Sequence, residues 1–202
     1  MKRILLSILL TAAILVLVYL VFESIMSPVR FNREQNIRKT QVVEHMKNIR
    51  AAQLTYRSLH NSYTGSFDTL LLFLKTDKIP VVKMVPDLTD TTFTRTINDT
   101  IAWVLVADSL LKNTTYPVDS FAIIPFSGGQ KFELQAGKID RGGVLVNVFE
   151  AKAHFKTYLA GMDDQLLRNL IAGEEQINKF PGLKVGSMNE PSTDGNWNNY
   201  FA

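Results

Sequence analysis

The chain opens on its longest apolar run. From Ile4 to Phe22, 19 residues carry no charge, with the small hydroxyls of Ser7 and Thr11 inside the run and Lys2 and Arg3 before it. At about 1.5 Å per residue a helix of this length covers about 28 Å, close to the roughly 30 Å hydrocarbon core of a bilayer. The run predicts a membrane-spanning helix over 4–22, anchored by side chains that include Ile4, Leu5, Leu9, Leu15, Leu17, Leu20 and Phe22. A cleaved secretion signal shares the basic start, but its apolar core is about 7–15 residues long and ends in a small-x-small site. Here the exit reads Val21-Phe22-Glu23-Ser24-Ile25-Met26, and Thr11-Ala12-Ala13 lies inside the run, so a retained anchor is expected.

Past Glu23 the pattern becomes amphipathic. Val42, Met46, Ile49, Ala52, Tyr56, Leu59 and Tyr63 recur every three or four residues, which is one stripe of a helix. Such a stripe either packs onto the rest of its own chain or forms a seam for another protein's helix. Its mixture of Ala, Tyr and Met is a poor coiled-coil seam, which favours the first use. Pro28 predicts a kink or a fresh helix start near the end of the apolar run. Asn61 to Gly65 reads as a turn, and Ser66-Phe67-Asp68-Thr69 caps a short helix through Leu70–Leu74.

Beyond that helix the signals are strand-like. Pro80 and Pro86 bracket an extended Val81–Val85, and Ile101–Val106, Phe121–Phe126, Lys131–Gln135 and Val144–Phe149 are short apolar runs. Ser127-Gly128-Gly129 and Arg141-Gly142-Gly143 supply hairpin turns, so a small antiparallel meander is expected. A last helix is predicted from about Asp163 to Lys179, burying Leu166, Leu167, Leu170, Ile171 and Ile177 and stopped by Pro181-Gly182. The tail from Asn189 to Asn199 is turn-rich. The fold class is therefore α+β: a transmembrane helix extended into an amphipathic one, a small sheet and a C-terminal helix.

Composition narrows the chemistry. With 202 residues, 46% of them hydrophobic, one compact domain is expected, and the absence of cysteine excludes disulfide scaffolds, thiolate zinc sites, iron–sulfur clusters and a cysteine nucleophile. The net charge of +3 is too even for a nucleic-acid binder of the strongly basic kind. The charges are unevenly placed, however. Residues 23–60 hold seven Lys or Arg against three Glu, whereas 61–202 hold thirteen basic and sixteen acidic groups. A basic helical stalk (23–60) thus joins the anchor to a mildly acidic head (61–202). Lys2 and Arg3 abut the apolar core and favour a cytoplasmic tail (1–3), the inner membrane and an exported head, although Arg30, Arg33, Arg38 and Lys39 flank the other side. The lipid bilayer is the first expected partner, with anionic head groups available to the stalk's charges.

No constellation of catalytic residues stands out. His45, His60 and His154 lack any spacing that places two nitrogens on one metal, and the first two read as polar residues of the stalk. Glu190, Asp194, Asn196 and Asn198 gather hard oxygen ligands, but not at calcium-loop spacing, so solvated turns are expected there. Asp163-Asp164 and Glu174-Glu175 are helix neighbours that point apart. Trp103 and Trp197 read as packing residues, and Asn98 and Asn113 open glycosylation sequons. No catalytic residue, cofactor or metal is expected, and the chain does not read as an enzyme.

The stretch from Met46-Lys47-Asn48-Ile49-Arg50-Ala51-Ala52-Gln53-Leu54-Thr55-Tyr56 to Asn61-Ser62-Tyr63 resembles the type IV pilin and pseudopilin superfamily, where an Ile-x-x-Ala-Leu-x-x-Tyr helix ends in a Gly-x-Tyr-Pro turn. The order of parts is similar too: apolar helix, early proline, amphipathic extension, small antiparallel sheet. The chain departs from that family in lacking a processing glycine and a glutamate at the head of the apolar run, and Thr64 stands where the family has proline. The resemblance implies a pilin-like layout and a non-enzymatic structural or interaction component of the cell envelope. Its partners would be other envelope proteins, met through the stalk helix or the head. The alternative is a membrane-tethered extracytoplasmic ligand-binding module, with a pocket between the sheet and the C-terminal helix.

Overall fold

The computed structural model describes residues 2–86, 96–112, 114 and 116–197. One helix, α1 (Lys2–His60), dominates it: its 59 residues extend about 88 Å and run through Pro28 without a break. A proline inside a helix removes one hydrogen bond and crowds the preceding turn, but it does not end the helix here. The sequence signals for the next element hold closely. Helix α2 (Phe67–Thr76) is capped by the Ser66 hydroxyl, which accepts from the Thr69 amide, and it buries Phe67, Leu70, Phe73 and Leu74.

The single expected meander is two separate sheets. Strands β1 (Lys78–Pro86) and β2 (Thr96–Leu105) form an antiparallel two-stranded ribbon, with a bulge between Val81 and Val82. One turn of helix, α3 (Val106–Leu110), follows where the sequence suggested continued strand at Val106. The second sheet joins β3 (Glu133–Arg141), β4 (Val144–His154) and β5 (Gly182–Gly186) in the order β3-β4-β5, all antiparallel. Both outer strands pair with β4, and β5 returns only after the short helices α4 (Phe155–Tyr158) and α5 (Asp164–Gln176). The Gly142-Gly143 turn is confirmed. Both glycines have positive φ, and Asp140 accepts from the Gly143 amide at 2.7 Å.

Four expectations are corrected. Phe121–Phe126 is not a strand: it follows a 3₁₀ turn at Val118–Ser120 and makes only the isolated Ile123–Lys131 bridge. Phe121, Ala122 and Ile124 are buried without a strand's alternation, because this segment folds into the core as coil and Pro125 withholds a ladder amide. Strand β3 begins two residues later than expected and runs on to Arg141, since pairing with β4 overrides the weak propensity of Gly137. Ile177 is 57% exposed, because α5 has ended and the buried face rests on Leu167 and Ile171. Trp103 is 63% exposed on the ribbon, whereas Trp197 is buried.

The core is built around α1. Phe31, Val42, Met46, Ile49 and Ala52 join Phe121, Phe149, Tyr158, Leu159, Leu183 and Val185 in one cluster. Stalk residues (23–60) and head residues (61–202) therefore share one core.

Candidate membrane helix and stalk contacts

Two halves of one helix meet opposite surroundings. Between Ile4 and Phe22, the described large apolar side chains are 55–67% exposed around the whole circumference. Ile4, Leu9, Leu15, Leu17, Leu20 and Phe22 are among them; the side chain of Leu5 lies outside the described residues. Burying a Leu or Ile side chain is worth about 1.5–3 kcal/mol, so leaving this surface in water would cost tens of kcal/mol. The helix is long and apolar enough to cross a membrane, and it lies near the N-terminus.

The second half is fastened to the head. Val42, Met46, Ile49 and Ala52 have no exposed surface, Tyr56 is half-buried against Phe73, and Leu59 is 44% exposed. Four of the seven stripe residues singled out by spacing are thus fully buried in the protein's own core, Tyr56 and Tyr63 pack against it, and Leu59 lies beyond its edge. Gln53 sits on the same face and is fully buried. Its Nε2 donates to the Thr64 carbonyl at 2.6 Å, and its Oε1 accepts from the Thr64 amide at 3.2 Å. This side chain ties the turn after α1 back onto the helix.

Several stalk cations are engaged as well. Arg38 donates to Glu34 at 2.9 Å and to the carbonyls of Tyr158 and Ala160 at 3.3 and 3.0 Å, and its guanidinium lies over the Phe126 ring. Lys39 is buried; desolvation lowers its pKa, and nearby Glu174 works against that shift. Arg50 reaches Asp194 at 3.2 Å and Thr193 at 3.3 Å. Nearest the apolar run, Arg30 pairs with Glu23 and Arg33 is exposed. Of the stalk's basic residues, Arg30 and Arg33 are the exposed ones nearest the apolar run.

His45 is not the exposed polar residue its place in the stalk suggested. It is buried with its ring stacked on Tyr116 at 3.7 Å, and the Tyr116 hydroxyl accepts from Asn48 at 2.7 Å. Burial pushes its pKa down to about 4, and its Nδ1 has no hydrogen-bond partner among the described residues. His60 lies 3.3 Å from Asp77, and His154 accepts from the Lys156 amide at the start of α4. The three histidines are on separate parts of the molecule.

The acidic tail does not converge either. Asp194 faces Arg50, while Asn196 accepts from the Lys184 amide and donates to the Gly182 carbonyl. Asn113, Asn198 and Asn199 lie outside the described residues, as does the side chain of Asn98. Among the described residues no group of three or more His, Asp or Glu is placed to hold a metal ion.

Sequence reasoning passed over Gln53 and β5 and misread the surroundings of His45. A signal for β5 was present in Gly182-Leu183-Lys184-Val185-Gly186, whose alternation is that of a short strand. For Gln53 and His45, one polar residue on an apolar stripe carries no local mark of what it will meet.

Compared with protein families, with curated proteins and with solved structures, the chain gives no match. A long apolar N-terminal helix followed by small antiparallel sheets is compatible with a pilin-like layout, and the fold is α+β.

Proposed function

We propose that this chain is a single-pass protein of the inner membrane, N-terminus cytoplasmic and head exported, that serves as a non-enzymatic structural or interaction component of the cell envelope with a pilin-like layout. The observation that carries the reading is the continuity of α1. The helix whose first half has only lipid-compatible surface is the same helix whose second half contributes Val42, Met46, Ile49 and Ala52 to the head's core. A head built around its own anchor cannot swing on a flexible tether. It is held at a set height and orientation above the bilayer, which suits a part of an assembly.

Alkaline extraction of membranes, protease protection of a C-terminally tagged full chain and in-cell crosslinking read by mass spectrometry test this together. The expected result is a protein that stays with the membrane, is digested only when the exported side is opened, and crosslinks to envelope proteins. A soluble protein, or a head protected in the cytoplasm, would overturn it.

A second reading, a membrane-tethered ligand-binding module, draws on a cavity of about 210 Å³ lined by Ile124, Lys131, Glu133, Lys152, His154, Thr157 and Phe180, which lies beside α4 and not against the C-terminal helix α5, where the pocket was expected. Copurification of a small molecule with the full chain, lost on Lys152→Ala, would favour it over the first.

A further inference from the structure

The cavity beside α4 is built on the outer face of the three-stranded sheet. Lys131 and Glu133 are two residues apart in extended chain with buried Phe132 between them, so both side chains stand away from the core. Lys152 is opposite Glu133 in the register of β3 and β4, and His154 follows on the same face, with buried Ala153 between. Phe180, in the segment leading into β5, bounds the group: its ring centre lies 5.7 Å from the Lys152 ammonium and 5.8 Å from the His154 ring, edge to face. Ile124 supplies a second apolar wall. The space of about 210 Å³ is that of about seven waters, room for a molecule of roughly six to ten non-hydrogen atoms.

The charges of this wall are unevenly matched. Lys152 lies 2.6 Å from Glu150, so its charge is met within the protein. Lys131 and Glu133 form no ion pair among the described residues, either with each other or with a third group. Glu133 accepts only from the neutral side-chain amide of Gln135, at 3.0 Å. His154 accepts from the Lys156 amide on Nδ1, and burial, then the charge of Lys156, lowers its pKa; the neutral ring therefore carries its proton on Nε2 as a donor.

A charge brought into a partly enclosed space is favourable only where it finds a partner. A simple anion would meet Lys131 but also the Glu133 carboxylate. A simple cation would meet Glu133 but also the ammonium groups of Lys131 and Lys152. A molecule with both charges on neighbouring atoms satisfies the two unpaired groups together, since their Cα atoms are about 6.6 Å apart along the extended chain.

We propose that this cavity binds a small free α-amino acid with an apolar side chain, its carboxylate held by Lys131 and His154, its ammonium by Glu133, and its side chain against Phe180 and Ile124. The assignment rests on the ligand-binding reading above and names its ligand class.

The test is isothermal titration of the full chain in detergent with three probes of one shape: L-leucine, 4-methylpentanoate, which lacks the ammonium, and 3-methylbutylamine, which lacks the carboxylate. L-leucine should bind saturably and each analogue about tenfold or more weakly, the loss of one hydrogen bond between charged groups. Glu133→Gln should lower L-leucine to the affinity of 4-methylpentanoate without weakening 4-methylpentanoate itself. Lys131→Met should weaken both acids and leave the amine unchanged. A structural role for either residue would weaken all three probes alike, and both side chains are exposed, so near-UV dichroism should stay that of the wild type. L-leucine binding that survives Glu133→Gln, or 4-methylpentanoate binding as tightly as L-leucine, would overturn the amino-acid assignment and keep a ligand cavity. A different small molecule that copurifies and is lost on Lys152→Ala, with no binding of L-leucine, would also overturn the assignment alone. If none of the three probes binds and nothing copurifies, the assignment and the ligand-binding reading fall together.

Discussion

Gln53 offers the sharpest test of how the stalk and head are joined. Its amide is fully buried and spans both backbone groups of Thr64, which is itself buried. Gln53→Leu keeps nearly the same volume, so no cavity term enters. It leaves a buried N–H and a buried carbonyl without their partner. Each such group costs about 1–3 kcal/mol, and the gain from burying leucine in place of an amide offsets part of that sum, so a net loss of about 2–4 kcal/mol is expected. For a domain of this size that corresponds to a fall in Tm of roughly 5–15 °C. Gln53→Glu sharpens the point. Its carboxylate can accept from the Thr64 amide but cannot donate to the Thr64 carbonyl, whereas the protonated acid can do both. Its folded pKa should lie above the unfolded value, so its stability is present at low pH and is lost as pH rises through the folded pKa. Chemical unfolding of the full chain in detergent, followed by near-UV dichroism, measures both variants. If Gln53→Leu unfolds with the wild type, the clamp contributes nothing and the reasoning fails.

Three further outcomes follow from the same packing. Ile49→Asp places an unpaired charge where the side chain has no exposed surface and should cost about 2 kcal/mol or more by the same unfolding assay; an unchanged midpoint would remove Ile49 from the core. His45 is held neutral with a pKa of about 4, below its usual 6.5, so the unfolded chain takes up the proton first. Stability present above about pH 6.5 should therefore fall by roughly 3 kcal/mol as pH drops towards 4, and His45→Phe should flatten that slope. Gly186 has a φ of +74°, and a Cβ there would run into the Phe149 carbonyl oxygen, so Gly186→Ala should lower the melting temperature by several degrees by detaching β5; a normal melt would show that the edge strand tolerates a side chain.

Much of the architecture was legible in local pattern. Wherever a local rule has one physical solution, the sequence alone determined the outcome. An uncharged run of 19 residues has no favourable state in water and so announces an uncovered apolar helix. Ser66 capping α2, Asp163 capping α5 and Gly142-Gly143 turning β3 into β4 depend on residues at most three positions apart. The stripe Val42, Met46, Ile49, Ala52 likewise follows from the period of the helix.

What the stripe packs against depends on residues 70 to 140 positions away, and no period encodes that. Only the tertiary structure decided that Phe121, Phe149, Leu183 and Val185 close over it. The same holds for a polar residue on that stripe: Gln53 is acceptable in the core because Thr64 folds back to meet it, and His45 because Tyr116 supplies a ring to stack on. The division of the strands into a separate ribbon and a three-stranded sheet is another long-range choice. Each strand satisfies the same local rules in either arrangement, and the difference lies in which backbone edges meet after the chain has passed through α3 or α5. Local chemistry specified the pieces and their faces, because those energies are summed over neighbours in sequence; the partners of each face were set by packing, where the energies are summed over neighbours in space.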